Sequence, residues 1–359
     1  MAASRERRLA FLDGLRGIAI IIMIVNHTSR DWTARSLGWS RVYLTYGSVL
    51  HPAAIFLFLV GFCLPLSFQR AAPEGWAALV TKYGRRGLLI IGGGLLLNLL
   101  VFPENPVWAG DVLMTIGFCI AVLGPLTPRV RRPQARIIAV VIAVLIYLAF
   151  AGLEPRLQRW SDAHRTLAEI WFLDFPPWPW ISAALIGLAA GWTWLDMRAR
   201  GPDAEIRFFR WTAVGGVGCL AAYGLWEWRI PTTPRFGFRR DFLLNQHWTP
   251  RGMTVLMVVG GVAVLLAATY WIMEIKQLPL PWLVILGQTA LMLYFVHQVI
   301  EMTIVSKLFG WRTESWGVYW GANALLIVLC VYLGRAWLTL KRVIRERRLR
   351  AASSGAPAV

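Results

Sequence analysis

Cysteine and acidic residues are scarce in this chain. Its 359 residues include four cysteines, no two of them in a Cys-x-x-Cys pair, and 19 aspartates and glutamates against 37 lysines and arginines. Neither a disulfide framework nor a cysteine-based zinc site is therefore expected, and no metal is predicted. Charged residues make up only 16% of the chain, whereas soluble domains carry about 25%. This low proportion of charge excludes an ordinary soluble domain.

Apolar residues, in contrast, are abundant and fall in long runs. They make up 57% of the sequence, the mean hydropathy is +0.54, and 20 tryptophans match the enrichment of this residue at membrane interfaces. A membrane-spanning helix needs roughly 17–25 mostly apolar residues. The predicted fold is an all-α polytopic membrane protein, a bundle of about ten transmembrane helices. The ten predicted spans are about 11–28, 51–68, 87–102, 111–127, 137–153, 178–196, 211–227, 253–274, 283–303 and 316–339.

The net charge of +18 is spread over the loops between these spans. It forms no single basic stripe, so the expected partner is the anionic surface of a lipid bilayer and not nucleic acid. If the N-terminus is cytoplasmic, inside segments hold 22 lysines and arginines and outside segments hold 13. The positive-inside rule then places both termini in the cytoplasm. We expect one membrane domain over residues 1–350, a disordered tail at 351–359, and a bacterial inner membrane as its location.

The first apolar span carries three ionisable residues, Asp13, Arg16 and His27. Such residues are costly at membrane depth and usually face the protein interior. Arg16 and His27 are eleven residues apart, so they lie on one helical face, roughly 16 Å apart along the axis. Asp13 is three residues before Arg16, close enough to pair with it. This helix would present a cation near the inner side of the membrane and an imidazole near the outer side.

Other titratable residues fall near the predicted outer side. His51 begins the second span, and His297 and Glu301, four residues apart, end the ninth on one helical face. A site built from these three residues and His27 is one interpretation, and a set of hydrogen-bonded helix ends is the other. Asp111 is expected to cap the fourth span, and His164 is expected to be solvated.

Several segments resemble membrane-bound acyltransferases. LDGLRGIAIIIMIVNH (12–27) resembles the first-helix signature of acyltransferase family 3. FLFLVGF (56–62) and DVLMTIGFCIAVLGPL (111–126) are similar to stretches of the heparan-alpha-glucosaminide N-acetyltransferase catalytic-domain family, and LGQTALMLYFVH (286–297) is similar to a late helix of both groups. The resemblance covers about a third of the chain, with Met114 and Thr115 replacing a Gln-Arg pair of the second family.

The resemblance implies transfer of an acyl group, acetyl in that family, from cytoplasmic acyl-CoA. The acceptor would be a hydroxyl or amine of a glycan or lipid-linked sugar on the far side. His27 would be catalytic, with His51 as the alternative and with His297 and Glu301 assisting. On the donor side, Arg16 with Asp13 would bind the cofactor or hold the shape of the pore.

Arg85 and Arg86, placed on the second inner loop, fit either binding of the coenzyme phosphates or anchoring at the membrane surface. A proton-coupled small-molecule transporter is the alternative function, because ionisable residues inside spans also line proton paths. The sequence leaves open the acceptor, the acyl chain length, direct transfer against an acyl-histidine intermediate, and whether the protein is a homo-oligomer.

Overall fold

The computed structural model describes residues 9–37, 51–70, 75–171, 175–229 and 254–353. These residues are almost entirely helical, and no named strand occurs among them. The α-helices are α1 (Ala10–Asp31), α2 (Pro52–Arg70), α3 (Trp76–Val101), α4 (Val112–Leu126), α5 (Pro133–Ala163), α6 (Arg165–Trp171), α7 (Pro177–Ala199), α8 (Pro202–Arg229), α9 (Thr254–Tyr270), α10 (Pro281–Gln288), α11 (Ala290–Gln298) and α12 (Trp316–Ser353). The predicted all-α class is confirmed for this part of the chain.

Eight helical segments of the described chain are long and apolar enough to cross a membrane. They correspond to eight of the ten predicted spans. The other two predicted spans coincide with α7 and α8, which are helical but are not among the eight. The count of ten, like the cytoplasmic position of the termini, stays a prediction.

Three helices extend well beyond the predicted spans. α3 begins at Trp76 and not near residue 87, α5 continues to Ala163, and α12 continues to Ser353. Lysine and arginine are good helix formers, so the backbone stays helical beyond the apolar run. The segment 351–353, predicted to be disordered, belongs to α12, and residues 354–359 lie outside the described residues.

One structural unit comprises residues 1–39 and 269–359. Within it α1 packs against α10, α11 and α12. A Cβ atom on Gly17 would collide with the Leu283 backbone oxygen, and one on Gly287 would collide with the Asp13 backbone oxygen. These two glycines allow α1 and α10 to approach each other backbone to backbone.

The predicted ninth span is interrupted within this unit. α10 ends at Gln288, and α11 begins again after Thr289, which leaves helical geometry at φ −111° and ψ 13°. α11 then continues as a π-helix over Val299–Leu308. π-helical turns are rare and frequently occur at functional sites. The apolar pattern alone did not predict either irregularity.

The second unit comprises residues 40–268. Its main helix contacts join α3 to α4 and α2 to α7. Gly187 and Gly191 form a Gly-x-x-x-Gly pair, and Cβ atoms on them would meet the backbone oxygens of Phe58 and Phe62, so the pair serves close helix packing. All four cysteines of the chain are free, in agreement with the expected lack of disulfides.

Candidate functional site

His27 lies in the last turns of α1, in a stretch that is otherwise buried. Ile24, Val25 and Asn26 precede it with 6% exposure or less, whereas the His27 side chain is 20% exposed. The imidazole is therefore anchored in the protein but retains an accessible edge. Such an edge is what a reacting group needs if a substrate is to reach it.

His297 and Glu301 are positioned by α11 and the π-helix that follows it. Both are fully buried. The Nδ1 atom of His297 lies 2.7 Å from the backbone oxygen of Leu293, one helical turn earlier. The indole of Trp32 donates a hydrogen bond of 3.3 Å to the backbone oxygen of Glu301. These contacts fix the ring of His297 and the backbone that carries Glu301.

The structure brings His27, His297 and Glu301 together. The two imidazole centroids are 5.5 Å apart with their planes at 50°, and Nδ1 of His27 is 3.9 Å from Oε2 of Glu301. One nitrogen or oxygen atom from each residue lies within 4.8 Å of the others. We call these residues the His–His–Glu cluster. Three of the four predicted catalytic residues thus meet inside one structural unit.

Several polar atoms of this cluster have no hydrogen bond within the described part of the chain. They are Nε2 of His297 and both carboxylate oxygens of Glu301, and all three are buried. A buried polar group without a partner costs about 1–3 kcal/mol, and more if it is charged. Among the described residues, these three atoms therefore remain available to a further hydrogen-bonding or coordinating partner.

The residues around the cluster were not singled out from the sequence. Gln298 interacts with His27, Asp31 interacts with Glu301, and Arg30 is the neighbouring cation. Arg30 and Asp31 also pair with each other at 3.3 Å. Asn26 is fully buried, and its amide has no hydrogen-bond partner among the described residues. An amide side chain inside an apolar run was the sequence signal that could have indicated this buried polar residue.

A second polar group lies near the start of α1. Oδ1 of Asp13 accepts a hydrogen bond of 2.8 Å from Arg16, which confirms the pairing predicted from their spacing. Oδ2 of Asp13 accepts a further bond of 3.3 Å from Gln288 in α10. The Arg16 side chain is 29% exposed. Both ends of the polar stripe on α1 therefore contact protein from the 281–308 segment.

His51, the fourth predicted catalytic residue, belongs to the unit of residues 40–268. It is 4% exposed, and its ring centroid lies 5.0 Å from that of Trp180. A stacked pair of Trp180 and Phe175, with centroids 4.9 Å apart, continues the aromatic contact. His51 is thus packed in an aromatic environment within its own unit.

Arg85 and Arg86 do not lie on a loop, and that part of the prediction is wrong. They lie in the third turn of α3, and both are exposed. The helix starts before them because Lys82, Arg85 and Arg86 sustain helical geometry outside the apolar run. Their position on an exposed helix face is typical of groups that extend toward lipid headgroups.

The remaining predicted residues have local roles. The Asp111 side chain accepts a 2.7 Å hydrogen bond from the backbone nitrogen of Leu113, so it caps α4 as predicted. His164 is exposed, as predicted, and stacks on Trp160. His247, which the predicted topology places in an outer loop, lies outside the described residues.

Two comparisons with known proteins bear on identity. No curated protein matches the chain. Residues 8–226 match the protein family described as heparan-alpha-glucosaminide N-acetyltransferase, catalytic. The match includes Asp13, Arg16, His27 and His51 and ends before His297 and Glu301. Because it covers more than half of the chain, and because eight apolar helices accompany it, this protein is a multi-pass membrane member of the heparan-alpha-glucosaminide N-acetyltransferase catalytic family.

Proposed function

We propose that the protein transfers an acyl group from cytoplasmic acyl-CoA to an acceptor on the extracytoplasmic side of the membrane. Acetyl-CoA is the expected donor, and the acceptor is a hydroxyl or amine of a glycan or lipid-linked sugar. Family membership supports the reaction class. The observation that carries the catalytic assignment is the partly exposed His27 beside a buried Glu301.

His27 acts as the general base in this proposal. It removes the proton from the acceptor hydroxyl or amine as the acceptor attacks the thioester carbonyl. The new carbon–oxygen or carbon–nitrogen bond forms, and the carbon–sulfur bond to coenzyme A breaks. The proton then passes from the imidazolium to the departing thiolate. General acid–base catalysis of this kind contributes about 10²–10⁴-fold in rate.

Glu301 and His297 support His27. A positive charge that forms on His27 is stabilised by the Glu301 carboxylate, whose Oε2 atom is 3.9 Å from Nδ1. The interaction is strong there because Glu301 is fully buried. His297 fills the other side of the cluster, with its ring fixed through Leu293. A transient acyl group on His27 is the alternative course, because histidine also serves as a nucleophile.

Arg16 serves the donor side. It is roughly 16 Å from His27 along α1. Asp13 accepts a hydrogen bond from it, and Asp13 is in turn held by Gln288 of α10. A guanidinium at this position would interact with the phosphates or the amide groups of the coenzyme. Arg85 and Arg86, being exposed on α3, are better suited to the membrane surface.

The test is acyl transfer by purified protein in proteoliposomes. Acetyl-CoA labelled in the acetyl group is supplied with a panel of sugars and amino sugars, and label transfer and thiol release are measured together. We expect His27→Ala to lose about 10²–10⁴-fold in rate. His164→Ala is the matched control, because that ring is exposed and stacks on Trp160. Undiminished transfer by His27→Ala would remove His27 from the mechanism.

The same vesicles distinguish the transporter alternative. An acyltransferase releases coenzyme A and does not accumulate the acceptor inside the vesicle. Accumulation that depends on a proton gradient, without release of thiol, would favour a transporter.

A further inference from the structure

The His–His–Glu cluster has the composition of a metal site. Two imidazoles and one carboxylate offer ligand atoms within 4.8 Å of one another, from helices about 270 residues apart in sequence. Imidazole nitrogen is a ligand for zinc, copper, iron and nickel, whereas magnesium and calcium prefer oxygen. We propose that His27, His297 and Glu301 form a binding site for one divalent transition-metal ion, with Zn²⁺ as its simplest occupant.

His297 is oriented as a metal ligand would be. Its Nδ1 atom is 2.7 Å from the backbone oxygen of Leu293, a geometry in which Nδ1 carries the proton and donates it. Nε2 then presents its lone pair, and this atom is buried without a hydrogen bond among the described residues. Metal-bound histidines commonly donate their other ring N–H to a backbone carbonyl in this way, which fixes both tautomer and ring direction.

Glu301 supplies the charge that such an ion requires. Both of its oxygens are buried and have no hydrogen-bond donor in the described part of the chain. An ionised carboxylate in that position is strongly destabilised unless a cation compensates it. Asp31 beside it adds negative charge, and Arg30 opposes it. A divalent ion is attracted to the sum of these charges and replaces the missing donors.

The ligand atoms must move closer together to bind an ion. Zinc bonds of about 2.0–2.2 Å place tetrahedral ligand atoms about 3.3 Å apart. Nδ1 of His27 and Oε2 of Glu301 are 3.9 Å apart, and all the ligand atoms lie within 4.8 Å of one another, so side-chain rotation must draw them together by up to about 1.5 Å. The 20% exposed edge of His27 gives the ion a route of entry. Three protein ligands leave the fourth position open to water.

Metal binding and acyl transfer then exclude each other. This consequence rests on the proposed function, because the ion occupies the imidazole lone pair that His27 needs as a base. The binding site itself does not depend on that assignment. The proposed reaction needs no metal, so the ion acts as an inhibitor that holds the cluster in an inactive state.

Cobalt binding tests the site directly. The full chain, purified in detergent with its affinity tag removed, is titrated with Co²⁺ while visible absorption is recorded, and bound metal is counted after desalting. We expect one saturable equivalent that Zn²⁺ displaces. His297→Ala and Glu301→Gln should each weaken binding by more than about 100-fold, since loss of a group that merely supports a ligand already costs 10–100-fold.

His164→Ala is the control and should bind as the wild type does. Glu301→Gln preserves side-chain volume, so it keeps the test valid if His297→Ala fails to fold. Equal binding by wild type and both cluster variants, or no saturable equivalent in the wild type, would overturn the metal site.

A second arm separates the metal site from the proposed reaction. Zn²⁺ should inhibit acetyl transfer over the same concentration range in which it displaces Co²⁺. Saturable binding in a protein that transfers no acyl group supports the metal site and contradicts the proposed function. Transfer that depends on His27 but is unaffected at saturating Zn²⁺ contradicts the inhibitory role of the ion.

Discussion

Oε2 of Glu301 lies 3.9 Å from Nδ1 of His27 although the two residues are 274 positions apart in sequence. The carboxylate is buried, whereas the imidazole keeps an exposed edge. A separation of 3.9 Å is longer than a hydrogen bond. The pair would therefore tighten when the imidazole gains a proton, as the proposed role of His27 as a base requires.

Glu301→Gln tests this relationship in the reaction. The amide keeps the shape of the side chain but removes the negative charge that would stabilise a protonated His27. We expect kcat to fall about 10-fold to 100-fold, which corresponds to about 1.4–2.7 kcal/mol of transition-state stabilisation, with little change in KM. Steady-state kinetics with acetyl-CoA and the best acceptor measure both constants.

Glu346→Gln is the matched control, because Glu346 is exposed on α12. The same substitution there should leave kcat unchanged. A rise in KM at constant kcat in Glu301→Gln would assign that residue to binding and not to support of the base.

Thr28 connects α1, next to His27, with α12. Its hydroxyl donates a 2.7 Å hydrogen bond to Oδ1 of Asn323 and lies 3.3 Å from the Tyr319 hydroxyl, which in turn donates to the Val25 backbone oxygen. Thr28→Val leaves the buried Asn323 oxygen without its donor. We expect the free energy of unfolding to fall by about 1–3 kcal/mol, measured as a lower thermal midpoint in detergent.

Thr212→Val is the comparison for that substitution. The Thr212 hydroxyl is partly buried and, among the described residues, bonds the Phe208 backbone oxygen in its own helix. Its loss should have little effect on the thermal midpoint. Equal effects of the two substitutions would mean that the contact between α1 and α12 adds no stability.

The parts of the site that are close in sequence could be predicted. Asp13 and Arg16 are three residues apart, and helical geometry alone brings them together. The face of α1 that carries Arg16 and His27 follows from the same geometry. In the same way, an aspartate directly before an apolar run predicted the cap at Asp111.

The meeting of α1 with α11 could not be predicted in this way. Periodicity defines which face of a helix is polar, but it does not identify the helix that this face will contact. The resemblance covered the segment 286–297 but gave no distance between His27 and His297. The helix break at Thr289 and the π-helix after Gln298 also depend on packing within the fold. For these reasons Asp31 and Gln298 were not recognised as neighbours of the cluster.

Gly17 tests the close approach of α1 and α10. A Cβ atom there would collide with the backbone oxygen of Leu283, and backbone atoms move less readily than side chains. Gly17→Ala should therefore lower the free energy of unfolding by about 1–3 kcal/mol, in the range of overpacked cores. Gly92→Ala is the control, because a Cβ atom at Gly92 has no neighbour within 4 Å. The control should be neutral or slightly stabilising because alanine favours helices.

The orientation of the chain decides whether the donor and the acceptor lie on opposite sides of the membrane. α12 has 38 residues, which at 1.5 Å per residue gives about 57 Å, and a bilayer core is only about 30 Å thick. The basic end of α12 therefore projects into water. The positive-inside rule predicts that this end is cytoplasmic, and the same orientation would place His164 outside.

Single cysteines at His164 and Arg345, both exposed positions, test this orientation in a background in which the four native cysteines are replaced by alanine. In intact cells, a membrane-impermeant maleimide should label His164→Cys at once and Arg345→Cys only after permeabilisation. The opposite pattern would place Arg16 outside and His27 inside. Since acyl-CoA is cytoplasmic, the donor would then meet the His–His–Glu cluster directly, and Arg16 could not serve as its binding residue.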